Sequence, residues 1–254
     1  MSKIVVIGGT GLIGSKVVAK LTEHGHEAIP ASPNSGVNTL TGEGLAEVLA
    51  GADTVLDVSN SPSFADDDVM AFFTTATTNI IDAAKAAGVG HYVALSVVGA
   101  ELMVDSGYQR AKVAQEKLIK TSGTPYSIVH ATQFFEFVKS IAGTATVGNE
   151  VRLSHALIQP IAAEDVATAV ARTTAGAPLN STIEIAGPVE LGIDDLIRAG
   201  LANAGDPRTV VTDPEATYFG QMLDERMLLP GADAIIFNTT FEEWLTTAAP
   251  APTK

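Results

Sequence analysis

"KIVVIGGTGLIGSK", residues 3–16, joins an apolar run of strand length to a glycine-rich turn in which Gly8, Gly11 and Gly14 have the spacing G-x-x-G-x-x-G. Helix-like spacing of Leu12, Val17 and Leu21 follows at once. Glycines so placed permit a tight turn, a close approach of the backbone to a bound group, and close seating of the helix on the strand. The start of such a helix offers free N–H groups and a positive dipole end, which suit a pyrophosphate. No Gly-Lys-Ser/Thr follows, so a Walker-type phosphate loop is excluded.

Outward from this loop the pattern repeats. Strand-length runs "HEAIPAS" (26–32), "DTVLDVS" (53–59), "HYVALSVVG" (91–99) and "YSIVHAT" (126–132) alternate with helical stretches at 42–51, 66–87 and 108–121. Strands separated by helices on this beat predict βαβ units and a Rossmann-type, doubly wound parallel sheet covered on both faces. After about residue 150 the rhythm loosens, through "LIQPIAAEDVATAVARTTA" (157–175), "STIEIAGP" (181–188), "GIDDLIRAGLANAG" (192–205) and "PRTVVTD" (207–213). The expected division is a nucleotide-binding domain over 1–150 and a small lobe over 151–254, some of whose segments can return to the sheet. The pattern assigns no fold to 214–244, and "TTAAPAPTK" at 246–254 reads as a frayed end.

The composition narrows the function. The 254 residues carry a formal net charge of −14 with only 15 Lys+Arg, which argues against a nucleic-acid partner. The absence of cysteine excludes disulfides and thiol nucleophiles, and five scattered histidines without metal spacing predict no metal site. No run is long and apolar enough for a membrane span, and the first residues lack a signal-peptide pattern, so the expected location is the cytoplasm. Nothing in the pattern speaks to oligomeric state.

Two features bear on the ligand and its chemistry. No carboxylate lies between Glu27 and Glu43, where a fold selecting NAD places one to bond the ribose. A 2′-phosphate is therefore not repelled, and Ser32, Asn34 and Ser35 can donate hydrogen bonds to it. No Lys or Arg occurs between Lys20 and Lys85, so the usual cationic partner is missing as well. NADP is favoured, with NAD as the alternative. In "YQRAK", Tyr108 and Lys112 stand four apart and share one helix face, downstream of Ser96 at a strand end. The carboxyl edge of such a sheet is where ligands bind.

Together the glycine loop, Ser96, the Tyr-x-x-x-Lys pair, "GTPYSIVHATQFFE", "QPIAAEDVA" and "IEIAGP" resemble the short-chain dehydrogenase/reductase superfamily, most closely its atypical, NmrA-like NAD(P)H-binding branch. The resemblance runs from Lys3 to about Leu196. It implies that Ser96 hydrogen-bonds a substrate carbonyl and Tyr108 transfers the proton. Lys112 would bind the nicotinamide ribose and lower the phenol pKa. It further implies that Gly8, Thr10, Gly11, Leu12 and Ile13 line the pyrophosphate. Val58, Ser59 and Asn60 would stand near adenine and ribose, and Thr132, Gln133 and Phe134 beside the nicotinamide.

Phe134, Phe135, Phe137, Tyr218, Phe219 and Met222 are candidates for an apolar substrate pocket, although such residues more often pack a core. Asn79 reads as structural, Glu116 as a surface or pairing residue, and Asp165 as a helix cap. His130 and Ala131 stand where relatives often carry Arg-Pro. The short second lobe leaves little room for a sugar nucleotide. The leading expectation is an NADPH-dependent oxidoreductase acting on a carbonyl or quinone group of a small, rather apolar molecule. The alternative is a redox-sensing protein that binds NADP(H) without turnover.

Overall fold

A computed structural model describes residues 1–247, so most of the tail expected to fray lies outside the described residues. The chain begins with β1 (Lys3–Ile7), α1 (Leu12–Glu23), β2 (Glu27–Ala31), α2 (Leu45–Leu49), β3 (Thr54–Asp57), α3 (Asp66–Ala87), β4 (His91–Val97), α4 (Gly107–Thr121) and β5 (Tyr126–Ala131). It continues through α5 (Val138–Thr144), β6 (Thr146–Val147), β7 (Glu150–Leu153), β8 (Leu157–Ile158), α6 (Ala163–Ala175) and β9 (Ser181–Ala186). The remainder is β10 (Leu191–Gly192), α7 (Ile193–Asn203), β11 (Thr209–Thr212), β12 (Thr217–Tyr218), β13 (Gln221–Met222), β14 (Ile235–Ile236) and α8 (Phe241–Thr247).

Seven parallel strands form the central sheet in the order β14-β9-β5-β4-β3-β1-β2. Residues 4–7 of β1 and all of β3 are buried, as strands covered on both faces must be. From β1 the chain first moves outward to β2 and then back to β3, so β1 and β3 flank the switch point where such sheets leave a crevice. The doubly wound Rossmann-type architecture expected from the sequence is the one observed.

Helices α1 and α6 cover one face, where Val17 and Leu21 meet Val166, Ala167 and Val170 over Ile4, Val6, Leu56, Val93 and Val129. Helices α2, α3 and α4 cover the other, over Val5, Val55, Tyr92, Ala94 and Ile128. Of the chain beyond residue 150, α6, β9 and β14 belong to this layered body. A separate apolar cluster joins α5, β7, β8 and α7 through Val138, Ile141, Val151, Ile158, Leu196 and Leu201. The segment without an expected fold contains the β12–β13 hairpin, the edge strand β14, and α8. No described helix is long and apolar enough to cross a membrane.

Candidate functional site

The glycine loop is built as its spacing requires. Gly8 has φ +79°, and a Cβ there would stand 2.9 Å from the Ser59 nitrogen, so side chains are barred twice over. A Cβ on Gly14 would meet the Gly8 carbonyl oxygen at 2.2 Å, which is how closely α1 sits on the loop. Gly11 caps α1 without a side-chain hydrogen bond, and no acidic residue occupies the first turn. The first-turn N–H groups of Leu12 and Ile13 have no intrahelical acceptors. Thr10 and Leu12 are exposed beside them.

At the end of β2 the hydroxyl of Ser35 is spent inside the turn. It accepts from the Ser32 nitrogen and donates to the Ser32 carbonyl, both at 2.9 Å. Asn34 is exposed, and the buried Ser32 Oγ has no partner. Beyond β3, Val58 is tied through its nitrogen to the Ile7 carbonyl. Ser59 donates from its nitrogen and its hydroxyl to Asp57 Oδ1, at 3.0 and 2.6 Å. After β5, Thr132 donates its hydroxyl to the Gln159 carbonyl at 2.6 Å, while the buried Gln133 Oε1 has no partner.

Tyr108 and Lys112 lie on one face of α4, as their spacing predicts. The half-buried phenol donates to Asn60 Oδ1 at 3.1 Å, which brings the tyrosine to the loop after β3. Its ring meets Phe73 edge-on, with centroids 5.8 Å apart, and Phe64 at 5.7 Å. Burial pushes its pKa up to about 12, the direction opposite to the lowering expected from Lys112. The ammonium of Lys112 is itself almost fully buried. It donates to the Leu95 carbonyl at 2.9 Å and to Gln115 Oε1, and it sits 4.5 Å from the Phe73 ring centroid. Burial lowers its pKa to about 8 against the opposing charges of Asp57 and Glu116.

Ser96 is placed differently from expectation. Its hydroxyl donates to Glu116 Oε1 at 2.7 Å, so it belongs to a cluster with Glu116 and His130 rather than to the Tyr108–Asn60 pair. Glu116 is a buried pairing residue, not a surface one; it also accepts from Lys120 at 2.8 Å. Burial alone would raise its pKa, but the His130 ring, Lys120 and Ser96 outweigh this and hold it at about 2. A cavity of about 1000 Å³ opens beyond this cluster, lined by Glu116, Lys120, His130, Glu184 and Ile235. None of the residues expected to form the site lines it.

The apolar candidates divide. Phe135 is a correction: it is buried against Phe241 and Trp244 and packs α8 onto the body. Phe134 stacks on the exposed Phe137 at 5.0 Å but is itself nearly buried in the core of the α1–α6 face. Burial chiefly, and the neighbouring Tyr108 phenol second, push the pKa of Tyr218 up, and its ring meets Phe219 edge-on at 4.7 Å. Phe219 and Met222 are exposed on the same hairpin. Asn79 is structural, donating to the Thr39 and Leu40 carbonyls. Asp165 does not cap α6; Glu136 accepts from the Ala163 nitrogen at 3.1 Å in that role.

Sequence reasoning missed Asp57, Tyr92 and Gln115. Asp57 Oδ2 accepts from Tyr92 at 3.2 Å and from Gln115 Nε2 at 3.0 Å, so one buried carboxylate connects the β3 loop to Lys112. The available signal was strand alternation, which puts Asp57, Ser96 and His130 on the face that α4 covers.

Comparisons with known proteins bear on the fold and the family. The whole fold superimposes on MoeE5 in complex with UDP-glucose and NAD, with TM-score 0.74 and 16% identity over 96% of each chain. It also superimposes on an NADPH-dependent quinone oxidoreductase of Escherichia coli, with TM-score 0.65 and 18% identity over 96% of this chain and 98% of that one. At such identities these likenesses speak for the fold. Photosystem II assembly factor Ycf39 of Cyanophora paradoxa is 26% identical over 147 residues, which are 52% of this chain and 46% of that protein. The chain thus spans about half the length of the curated relative it matches. Residues 8–175, from the first loop glycine to the end of α6, match the NAD(P)H-binding family, and the chain belongs to that family.

Proposed function

We propose that the protein is an NADPH-dependent oxidoreductase that reduces a carbonyl or quinone group of a small, rather apolar molecule. The observation that carries this reading is the pair on α4. The phenol of Tyr108 is held at the loop after β3 and the ammonium of Lys112 against β4, both at the carboxyl edge of the sheet. The residues present fit a dinucleotide: α1 begins with uncapped N–H groups and no acid, and the buried Ser32 Oγ and Gln133 Oε1 lack partners. Gly8, Thr10, Gly11, Leu12 and Ile13 would hold the pyrophosphate, Ser32 and Asn34 the adenosine end, and Val58, Ser59 and Asn60 the sugar. Lys112, Thr132, Gln133 and Phe134 would hold the nicotinamide end. When bound, the reduced nicotinamide supplies a hydride.

A phenol with a pKa near 12 keeps its proton at neutral pH, which suits Tyr108 as the donor to an alkoxide developing on a reduced carbonyl. Lys112 supplies a fixed cation for a ribose hydroxyl. Ser96, spent on Glu116, supports this edge by anchoring α4, and the substrate oxygen is left to Tyr108. The exposed Phe64, Phe219 and Met222 give the entrance an apolar character.

Purified protein should oxidise NADPH with some members of a panel of quinones and ketones. Tyr108→Phe should lower that turnover by about 10²–10⁴-fold while leaving the NADPH dissociation constant within about threefold. The engagement of Ser96 favours a second reading, a redox-sensing protein that binds NADP(H) without turnover. Tight binding with no oxidation across the panel would establish it over the first. NADP should raise the melting temperature more than NAD at equal concentration, since a ligand of the folded state stabilises it more the tighter it binds.

A further inference from the structure

The geometry points to Asp57 as a positioning residue that acts through Gln115 to keep the Lys112 ammonium charged and aimed at the carboxyl edge. This rests on the reading of Lys112 as a cofactor-holding residue. Lys112, Gln115 and Glu116 occupy the sheet-facing side of a helix that in an ordinary α/β protein would be apolar there. The ammonium has three protein neighbours that fix it: the Leu95 carbonyl of β4, Gln115 Oε1 of α4, and the Phe73 ring of α3. The Gln115 amide is thereby oriented, with its oxygen toward Lys112 and its nitrogen donating to Asp57 Oδ2 at 3.0 Å. Asp57 in turn is set by Tyr92 from β4 and by Ser59 on its own strand's exit.

Each bond in this chain has one sensible polarity. Asp57 is buried at 2% exposure and accepts from all its partners; Gln115 must donate to it, and so must present its oxygen to the lysine. The charges facing Lys112 are Asp57 from β3 and Glu116 from its own helix, and both favour its protonated form. Glu116 is already committed to Lys120, His130 and Ser96, whereas the Asp57 network leads toward the lysine and nowhere else cationic. The same carboxylate orders Ser59, next to the Asn60 that receives the Tyr108 phenol. One buried acid thereby ties together the loop after β3 and both α4 residues of the proposed site.

The test is to follow the Lys112 side chain by ¹³Cε NMR in the ligand-free protein, alongside the NADPH dissociation constant as a function of pH. Lys112 of the natural protein should titrate near pH 8. Asp57→Asn should move that midpoint down by about one pH unit, because a favourable charge is lost from a buried cation. Adding Gln115→Glu to Asp57→Asn should bring it back, since the amide introduced at 57 can donate to the carboxylate introduced at 115 and a negative charge again faces the lysine. NADPH affinity should weaken above each variant's own midpoint. An unmoved midpoint in Asp57→Asn overturns the inference. So does a double variant that stays as low as Asp57→Asn, which would mark the role as structural only. If the NMR midpoints move as stated while Lys112→Ala leaves NADPH affinity untouched at every pH, the Asp57 network stands and the cofactor-holding reading of Lys112 falls.

Discussion

The two faces of the sheet share an aliphatic middle and part ways at the carboxyl edge. Under α1 and α6 the contacts are aliphatic: Val17, Leu21, Val166, Ala167 and Val170 close over Ile4, Val6 and Leu56. Under α4, at the carboxyl ends of β3, β4 and β5, the buried side chains are Asp57, Ser96, His130, Lys112, Gln115 and Glu116. The first arrangement gains stability from every residue it buries. The second gains only what its hydrogen bonds return after desolvation, and loses heavily if one member is removed. A polar layer of that kind, concentrated at one sheet edge beside Tyr108, is costly to assemble for stability alone and is in keeping with the site proposed there.

The largest expected effect tests the dry face. Leu21 is 2% exposed, and Leu21→Ala should lower the unfolding free energy by about 2–5 kcal/mol while leaving NADPH affinity per folded molecule unchanged. A loss of affinity matching the loss of stability would show that the two faces are not separable. Calorimetry and fluorescence titration on the same sample decide between these outcomes.

Next comes Glu116, the charge centre of the wet face. Its folded pKa of about 2 lies below the ordinary 4.5, so its contribution is fully present above pH 4.5 and is lost as pH falls from 4.5 toward 2. Glu116→Gln should therefore be less stable than the natural protein at neutral pH, by something on the order of 3 kcal/mol. The gap should close in denaturant melts taken at successively lower pH across that window. A gap that persists undiminished at pH 2 would assign the loss to packing instead of charge.

The fold was legible where it is local. The glycine loop, the beat of βαβ units and the Tyr108–Lys112 stripe each depend on spacing along a few residues, and each is where the sequence places it. What was not legible depends on which neighbour a side chain finds. Phe134 and Phe135 are adjacent and chemically alike, yet one stacks on Phe137 and the other supports α8, whose position no local pattern announces. Ser96 is at the expected strand end, but its hydroxyl follows Glu116, four residues past Lys112 on the same helical face. The two-residue β14 is too short to carry a period.

Lys112 carries the contrast between the faces furthest. Its folded pKa of about 8 lies below the ordinary 10.5, so the unfolded chain holds this proton more tightly than the folded one. Below pH 8 the buried ammonium costs stability, and that cost fades as pH rises from 8 to 10.5. Lys112→Met, which keeps the length of the stem, removes the charge but leaves the Leu95 carbonyl and Gln115 Oε1 short of a donor, a loss of about 1–3 kcal/mol. The two terms nearly offset, so the variant should match the natural protein in melting temperature at neutral pH to within a few degrees. NADPH binding should weaken nonetheless. Stability retained with affinity lost is the signature of a residue kept for its ligand; a large drop in melting temperature would instead make Lys112 part of the structural core and erase the difference between the two faces.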